Sequence, residues 1–253
     1  MQTSAWKVPL DDFPAFLKVL EKIREFGFDG FETAYRNVQS AFGKQAKEAK
    51  VQIAATGLRF LGCNIVLSNY DGKTNLPPMD QIEQIAEGAS SLGAERLILS
   101  GSPVAEEGPL DPQRLSWKSG ALNRAGRFTQ PLRMRLCYHN HGPEFANNGA
   151  EIEALAREID SDNVRLILDA GDALREKADI AAFFSKYHKR IDGLHLRDFK
   201  GDKQVPLGQG EFQYEPLSIA IKKVKWTGWV IAEEEQESAV KPAREQLRKL
   251  FSA

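Results

Sequence analysis

Histidine and cysteine are scarce in this sequence, and no hydrophobic run approaches the length of a membrane span. Only four histidines and two cysteines occur in 253 residues. Cys63 and Cys137 both fall inside short apolar runs, so they are expected to be reduced core residues rather than a disulfide. The first residues also lack the layout of a signal peptide. We therefore expect a cytoplasmic protein with no membrane partner.

The chain also lacks an excess of charge of either sign. It has 34 Lys and Arg against 35 Asp and Glu, a formal net charge of −1. A nucleic-acid partner would require a basic stripe that displaces counterions, so none is expected. An apolar content of 42% with 27% charged residues is typical of soluble globular enzymes. The length fits one large domain, 1–253, although two small ones remain an alternative.

Short apolar runs alternate with segments of helical spacing along the whole chain. The runs predict eight strands, at residues 2–6, 28–32, 58–66, 96–99, 133–139, 164–169, 191–196 and 229–232. One intervening segment, 37–56, predicts a long polar helix. Such alternation indicates a parallel sheet covered by helices, and eight units indicate a (β/α)8 TIM barrel. A doubly wound open sheet is the alternative, but no Gly-rich phosphate loop follows the first strand.

Polar residues stand at the ends of four successive predicted strands: His139, Asp169, His195 and Glu233. In a barrel these ends meet at the face that carries the active site. A carboxylate buried there is costly unless it is paired or bound to a metal. Four separately capped strands are the alternative, but recurrence on four strands favours one shared divalent cation. Two imidazoles and two carboxylates suit Mn²⁺, Zn²⁺, Co²⁺ or Fe²⁺ more than Ca²⁺, and Mg²⁺ is a further candidate.

Six segments resemble one known family over essentially the whole chain. They are GFDGFE at 27–32, YHNHGPEF at 138–145, LDAGD at 168–172, GLHLRDFKG at 193–201, PLGQGEF at 206–212 and GWVIAEEE at 228–235. The chain is similar to the sugar phosphate isomerase/epimerase family, the xylose isomerase-like TIM barrels. The resemblance implies that Asp169, His195 and Glu233 are metal ligands. It also implies dimers or tetramers as an expected homo-oligomeric state.

Two positions depart from the family pattern. His139 stands where many members have a glutamate, one of two ligating carboxylates that family epimerases use as opposed proton acceptor and donor. The family also often has Asp-x-Gly-His where this chain has Asp169-Ala-Gly-Asp172. We expect Asp172 to bind substrate in place of that histidine; the alternative is that the site serves a different ligand.

Weaker expectations concern four further side chains. Glu32 is expected either to hydrogen-bond substrate hydroxyls or to be a barrel-mouth carboxylate. Arg197 is expected to bind a substrate phosphate or carboxylate, or to bridge to a ligand carboxylate. Strand alternation would place Glu235 inward beside Glu233, where it would bind substrate. Asp198 is expected to orient the ligand histidine near it.

These residues together favour a metal-dependent isomerase or epimerase. Its substrate would be a sugar, a sugar phosphate or a related polyol ketone, and proton transfer would pass through an enediolate. Glu233 would take the proton, and His139 or His141 would return it. The alternatives are an inosose dehydratase-like lyase and a non-catalytic sugar-binding barrel. Endonuclease IV, a relative with this barrel, is disfavoured because it needs more histidines and a basic DNA face.

Overall fold

A parallel β-sheet curved into a nearly closed barrel forms the centre of the protein. The computed structural model describes residues 1–67, 69–105 and 108–251. Hydrogen bonds join the seven barrel strands in the order β1-β2-β3-β4-β5-β6-β9. Their bounds are β1 Gly30–Ala34, β2 Arg59–Ile65, β3 Arg96–Leu99, β4 Arg135–His139, β5 Val164–Asp169, β6 Ile191–Leu196 and β9 Trp229–Ala232. The predicted α/β TIM barrel is confirmed.

The first predicted strand, 2–6, is wrong in its extent. Only Gln2 pairs with the sheet, through a parallel bridge to Glu32. Its amide donates to the carbonyl of Ala232, 3.0 Å away, and the Glu32 amide donates to the carbonyl of Met1 at the same distance. Two residues therefore fill the seam between β9 and β1. The chain then leaves the sheet through a 3₁₀ turn, Thr3–Ala5.

Helices cover the outside of the barrel. They are α1 Phe13–Glu25, α2 Ala46–Ala55, α3 Met79–Ser91, α4 Pro112–Thr129, α5 Ala146–Glu158, α6 Ala170–Arg175, α7 Ile180–Tyr187, α8 Glu215–Lys223 and α9 Glu237–Phe251. Both ends of helix α1 are explained by local residues. Its N-cap Asp12 accepts a hydrogen bond from the amide of Ala15, and Gly27, at a φ of +81°, follows its C-terminal end. Within the described ranges, no helix combines the length and apolarity needed to cross a bilayer.

Two local features differ from the sequence-based expectation. The predicted helix at 37–56 is α2 preceded by three 3₁₀ turns, and Gly43, at a φ of +74°, begins the third of them. The second feature is a hairpin of β7 Asp198–Lys200 and β8 Lys203–Val205, which the sequence analysis left within a connection. This hairpin follows β6 directly, so it stands at the functional end of the barrel.

Both cysteines lie in the barrel wall. Cys63 is in β2 and Cys137 in β4; both are free and fully buried. Cys137 packs with Ile98 and Ile167 in a small apolar cluster. Burial raises the pKa of both thiols, so neither forms the reactive thiolate near neutral pH.

We therefore expect a thiol reagent to label neither cysteine quickly in the native protein. In denaturant both should react at once, with a stoichiometry of two. The measurement is the time course of 2-nitro-5-thiobenzoate release from 5,5′-dithiobis(2-nitrobenzoate), with and without guanidinium. Fast native labelling of either thiol would show that the wall around it opens readily.

Candidate metal centre

Four side chains from adjacent strands converge at the C-terminal end of the barrel. His139 ends β4, Asp169 ends β5, His195 lies in β6, and Glu233 follows β9. One ligand atom from each lies within 4.8 Å of every other. Because these strands are neighbours in a parallel sheet, their carboxyl ends point to one place. The structure thus brings together the four residues that the sequence predicted as one set.

The contacts within this cluster are short. His139 Nε2 lies 3.1 Å from His195 Nδ1 and 3.6 Å from Asp169 Oδ2. His195 Nδ1 lies 2.8 Å from Glu233 Oε2. Three of the four residues are buried, and Glu233 is half-buried. Two imidazole nitrogens and two carboxylates around one point are a donor set that fits a borderline divalent cation.

The histidines of the cluster differ in charge. Burial and the charge of His195 lower the pKa of His139 well below its usual value, so His139 stays neutral and keeps a lone pair for a metal. Burial also opposes protonation of His195, but the neighbouring Glu32 and Glu233 carboxylates raise its pKa to about 10. A proton and a cation would compete for the same nitrogen of His195. Metal affinity should therefore fall as the pH falls.

Glu233 remains ionised at neutral pH. Burial tends to raise its pKa, but the hydrogen bond from His195 and the charge of Arg197 hold the pKa of Glu233 well below its usual range. An ionised carboxylate that is half-exposed to a cavity is able to accept a proton as well as to bind a metal.

A second contact fixes each histidine ring. Glu32 Oε2 lies 2.7 Å from His195 Nε2, and Ser100 Oγ lies 3.4 Å from His139 Nδ1. Each contact leaves the other ring nitrogen facing the cluster. Glu32 was expected to hydrogen-bond substrate hydroxyls, but it is only 1% exposed and its carboxylate contacts His195. Ser100 was missed, although it directly follows β3 and the same strand-end rule points to it.

Arg197 bridges two aspartates instead of facing a substrate. Its Nη2 contacts Asp169 Oδ2 and lies 2.8 Å from Asp172 Oδ2. The other oxygen of Asp169 accepts from the amide of Asp172 at 2.9 Å, as the N-cap of α6. Of the two roles expected for Arg197, the bridge to a ligand carboxylate is the observed one. The carboxylate of Asp172 is likewise paired with Arg197, which leaves its expected substrate contact without support.

Asn140 holds the backbone beneath the cluster, a role that the sequence analysis missed. Its Oδ1 accepts from the amide of Asp169 at 2.9 Å, and its Nδ2 donates to the carbonyl of the same residue at 3.2 Å. The side chain thus extends the β4–β5 pairing by one step. The position of Asn140 between two histidines did not indicate this role, because its partner, Asp169, comes close only in the folded barrel.

Asp198 organises a loop and does not contact His195, contrary to expectation. One buried carboxylate accepts backbone amides from Phe199, Gly208, Gly210 and Phe212 at 2.9 to 3.2 Å. A Cβ at Gly210 would lie 2.2 Å from Asp198 Oδ1, so this close approach requires glycine. Asp198 thereby fixes the loop that follows the β7–β8 hairpin.

The run Glu233-Glu234-Glu235 does not keep strand alternation. Glu234 is 1% exposed and accepts from the amide of Leu207 at 3.0 Å. Glu235 is exposed, so the prediction that it faces inward beside Glu233 was wrong. The reason is that β9 ends at Ala232, before the run begins.

A cavity of about 600 Å³ opens beside the cluster. Its floor includes three of the four candidate ligands, with His141 next to them; the rings of His139 and His141 are 5.4 Å apart. The remaining wall residues come from the N-terminal segment and the ends of β1, β2 and β3: Gln2, Thr3, Ser4, Trp6, Lys7, Val8, Leu10, Ala34, Arg36, Asn37, Asn64, Ile65, Val66 and Ser100. The wall contains both polar and apolar side chains, which suits a polyhydroxylated ligand.

We expect the purified protein to bind about one divalent cation, and His195→Ala to weaken that binding more than about 100-fold, since even outer-shell losses cost 10–100-fold. His188→Ala is the matched control, because His188 is the one histidine outside the site segments and its Nδ1 lies 3.1 Å from the carbonyl of Ser185. The measurement is metal content after dialysis, together with the rise in melting temperature on adding Mn²⁺ or Zn²⁺. Equal metal content in both variants would contradict the ligand assignment.

Comparison with known proteins agrees with this architecture. The family model of the xylose isomerase-like TIM barrel matches residues 20–252. An inosose dehydratase from Clostridium beijerinckii is 24% identical to this chain. The alignment covers 91% of this chain and 87% of the relative. Another, from Geobacillus kaustophilus, is 30% identical over 153 residues, about half of each protein, 51% and 49%.

A solved structure shares the same fold. A sugar phosphate isomerase/epimerase from Parabacteroides distasonis superposes with a TM-score of 0.76 at 20% identity, over 98% of this chain and 92% of the other. The family model spans nearly the whole sequence, and the seven-stranded barrel carries its polar cluster where that architecture places a site. The chain belongs to the xylose isomerase-like TIM barrel family.

Proposed function

We propose that the protein is a metal-dependent enzyme that moves a proton next to the carbonyl group of a sugar or polyol ketone, as an isomerase or epimerase. The observation that carries this proposal is the convergence of His139, Asp169, His195 and Glu233 at one end of the cavity. When bound there, a divalent cation would polarise the carbonyl and the adjacent hydroxyl and so lower the barrier to removing the α-proton.

In this proposal the chain supplies a base and an acid. Glu233 takes the α-proton, because it is ionised and half-exposed on the cavity wall. His141 returns a proton, because it lines the cavity beside the cluster and is half-buried, whereas His139 is held among the ligands. Return to the neighbouring carbon gives an isomer, and return to the opposite face gives an epimer.

Dehydration is the second candidate, and a specific feature favours it. Where many family members have a second ligating glutamate, this chain has His139, which stays neutral among the ligands, so the acid beside the cluster in this candidate is the imidazole of His141. An imidazolium suits protonation of a leaving hydroxyl better than a carboxylate does. The inosose dehydratases among the relatives support the same candidate.

One experiment separates these candidates. The protein is stripped, reloaded with each candidate cation, and incubated in D₂O with a panel of ketoses, ketose phosphates and inososes while NMR follows the products. The first candidate predicts an isomer or epimer that carries deuterium at the carbon that received the proton. The second predicts a dehydrated product, in which tautomerisation of the enol places deuterium at the former β-carbon. Loaded protein that neither exchanges deuterium nor turns over any panel member would oppose the proposed function.

Glu233→Gln should abolish proton abstraction while retaining much of the metal binding, since the amide oxygen still coordinates, though more weakly. Loss of a general base lowers the rate by about 10²–10⁴-fold. The measurement is turnover and metal stoichiometry on the substrate that the panel identifies, with Glu235→Gln as the control, because Glu235 is exposed beside it. Near wild-type turnover in Glu233→Gln would place the base elsewhere.

His139→Glu should retain the cation and shift activity toward epimerisation, because it restores the two opposed carboxylates common in the family. The product ratio, measured by NMR on the loaded variant, reports this change. His139→Gln is the matched comparison, as it keeps a neutral side chain at the position. If both variants give the wild-type ratio, residue 139 does not select the reaction.

A further inference from the structure

Charged side chains of both signs line the cavity. Apart from the histidines, they are Lys7, Arg36 and Glu233. Glu233 belongs to the metal cluster, on the half of the barrel formed by β4, β5, β6 and β9. Arg36 follows β1, and Lys7 lies in the N-terminal segment that crosses the β9–β1 seam. The two cations therefore occupy the half of the mouth opposite most of the candidate ligands.

Neither cation is used by the fold. In the described ranges, neither Lys7 nor Arg36 forms an ion pair or a side-chain hydrogen bond, and both are exposed at the cavity edge. Arg197 contrasts with them, because two aspartates neutralise it. Apart from the histidines, the positive charges that line this cavity are thus those of Lys7 and Arg36.

The wall beside these cations is already ordered. Asn37 Nδ2 donates to the hydroxyl of Thr33 at 3.0 Å, and that hydroxyl lies 2.7 Å from the hydroxyl of Thr3. This network ties the turn that carries Arg36 to the N-terminal segment that carries Lys7. The backbone segments that carry Lys7 and Arg36 are therefore linked by hydrogen bonds, whereas the two side chains themselves are exposed.

We propose that Lys7 and Arg36 form an anion subsite that holds a phosphoryl or carboxylate group of the substrate, remote from the carbons that react. This inference rests on the proposed function and adds the class of substrate. An ammonium and a guanidinium make charge-assisted hydrogen bonds to either anion. The subsite would hold the charged end of the substrate on the side of the N-terminal segment and β1, so that the carbonyl end lies at the metal cluster. A cavity of about 600 Å³ has room for such a two-ended ligand.

The test uses inorganic phosphate and acetate as probes of the metal-loaded protein, at constant ionic strength set with chloride. Isothermal titration should detect binding of at least one of these probes, and the Lys7→Gln/Arg36→Gln double variant should weaken it at least about tenfold, as expected for losing charge-assisted hydrogen bonds. Lys47→Gln, an exposed lysine on α2, changes the net charge without touching the cavity and should bind like wild type. Metal content and melting temperature verify that all variants are folded and loaded.

Binding that is equally strong in the double variant would assign the anion to the metal and overturn the subsite, and so would absence of binding to the wild type. Fructose 6-phosphate, gluconate and fructose then separate the two chemistries. Tighter binding of the phosphate ester than of fructose, lost in the double variant, identifies a phosphoryl site; the same pattern with gluconate identifies a carboxylate site. Turnover of neutral ketoses without phosphate or acetate binding would leave the proposed function standing and refute the subsite. Probe binding through both cations without any turnover would do the reverse.

Discussion

Compensation of buried charge is the constraint on which the rest of this structure depends. Glu32 and Asp169 are almost completely removed from water around two imidazoles, and Glu233 closes the group from the cavity side. An isolated ionised carboxylate in such a place would cost several kcal/mol or more. Each of these carboxylates therefore has a partner within the cluster or beside it, and a divalent cation would complete the compensation.

The partners explain why so many polar side chains crowd one end of the barrel. Arg197 takes one oxygen of Asp169, and the start of α6 takes the other. Asn140 holds the backbone of the same residue. Asp198 folds the loop after the hairpin around itself in the same manner, with four amides on one carboxylate. A site that must hold charge in fixed positions is thus preorganised by groups that do not touch a substrate.

The arrangement is asymmetric, and this has a chemical consequence. One wall presents an ionised carboxylate, Glu233, and the neighbouring wall presents the imidazoles of His139 and His141. A pair of opposed carboxylates exchanges protons equally well from either face of a substrate. In the proposed function the acceptor is instead a carboxylate and the donor is an imidazole, the side chain suited to proton transfer near neutral pH. In the proposed function, this difference sets the balance between epimerisation and dehydration.

The sequence alone determined the barrel and the four convergent residues. Alternating apolar runs dictate a parallel sheet, and the carboxyl ends of such strands must meet, so His139, Asp169, His195 and Glu233 were predictable as one set. Tertiary structure alone decided that Gln2 pairs in the seam while residues 3–5 turn away, that Glu32 supports His195, that Asp172 pairs with Arg197, and that Glu235 faces solvent. The physical reason is that strand periodicity fixes which end and which face of the sheet a residue occupies. The groups that its side chain contacts belong to segments that are distant in the chain, and these are known only from the tertiary structure.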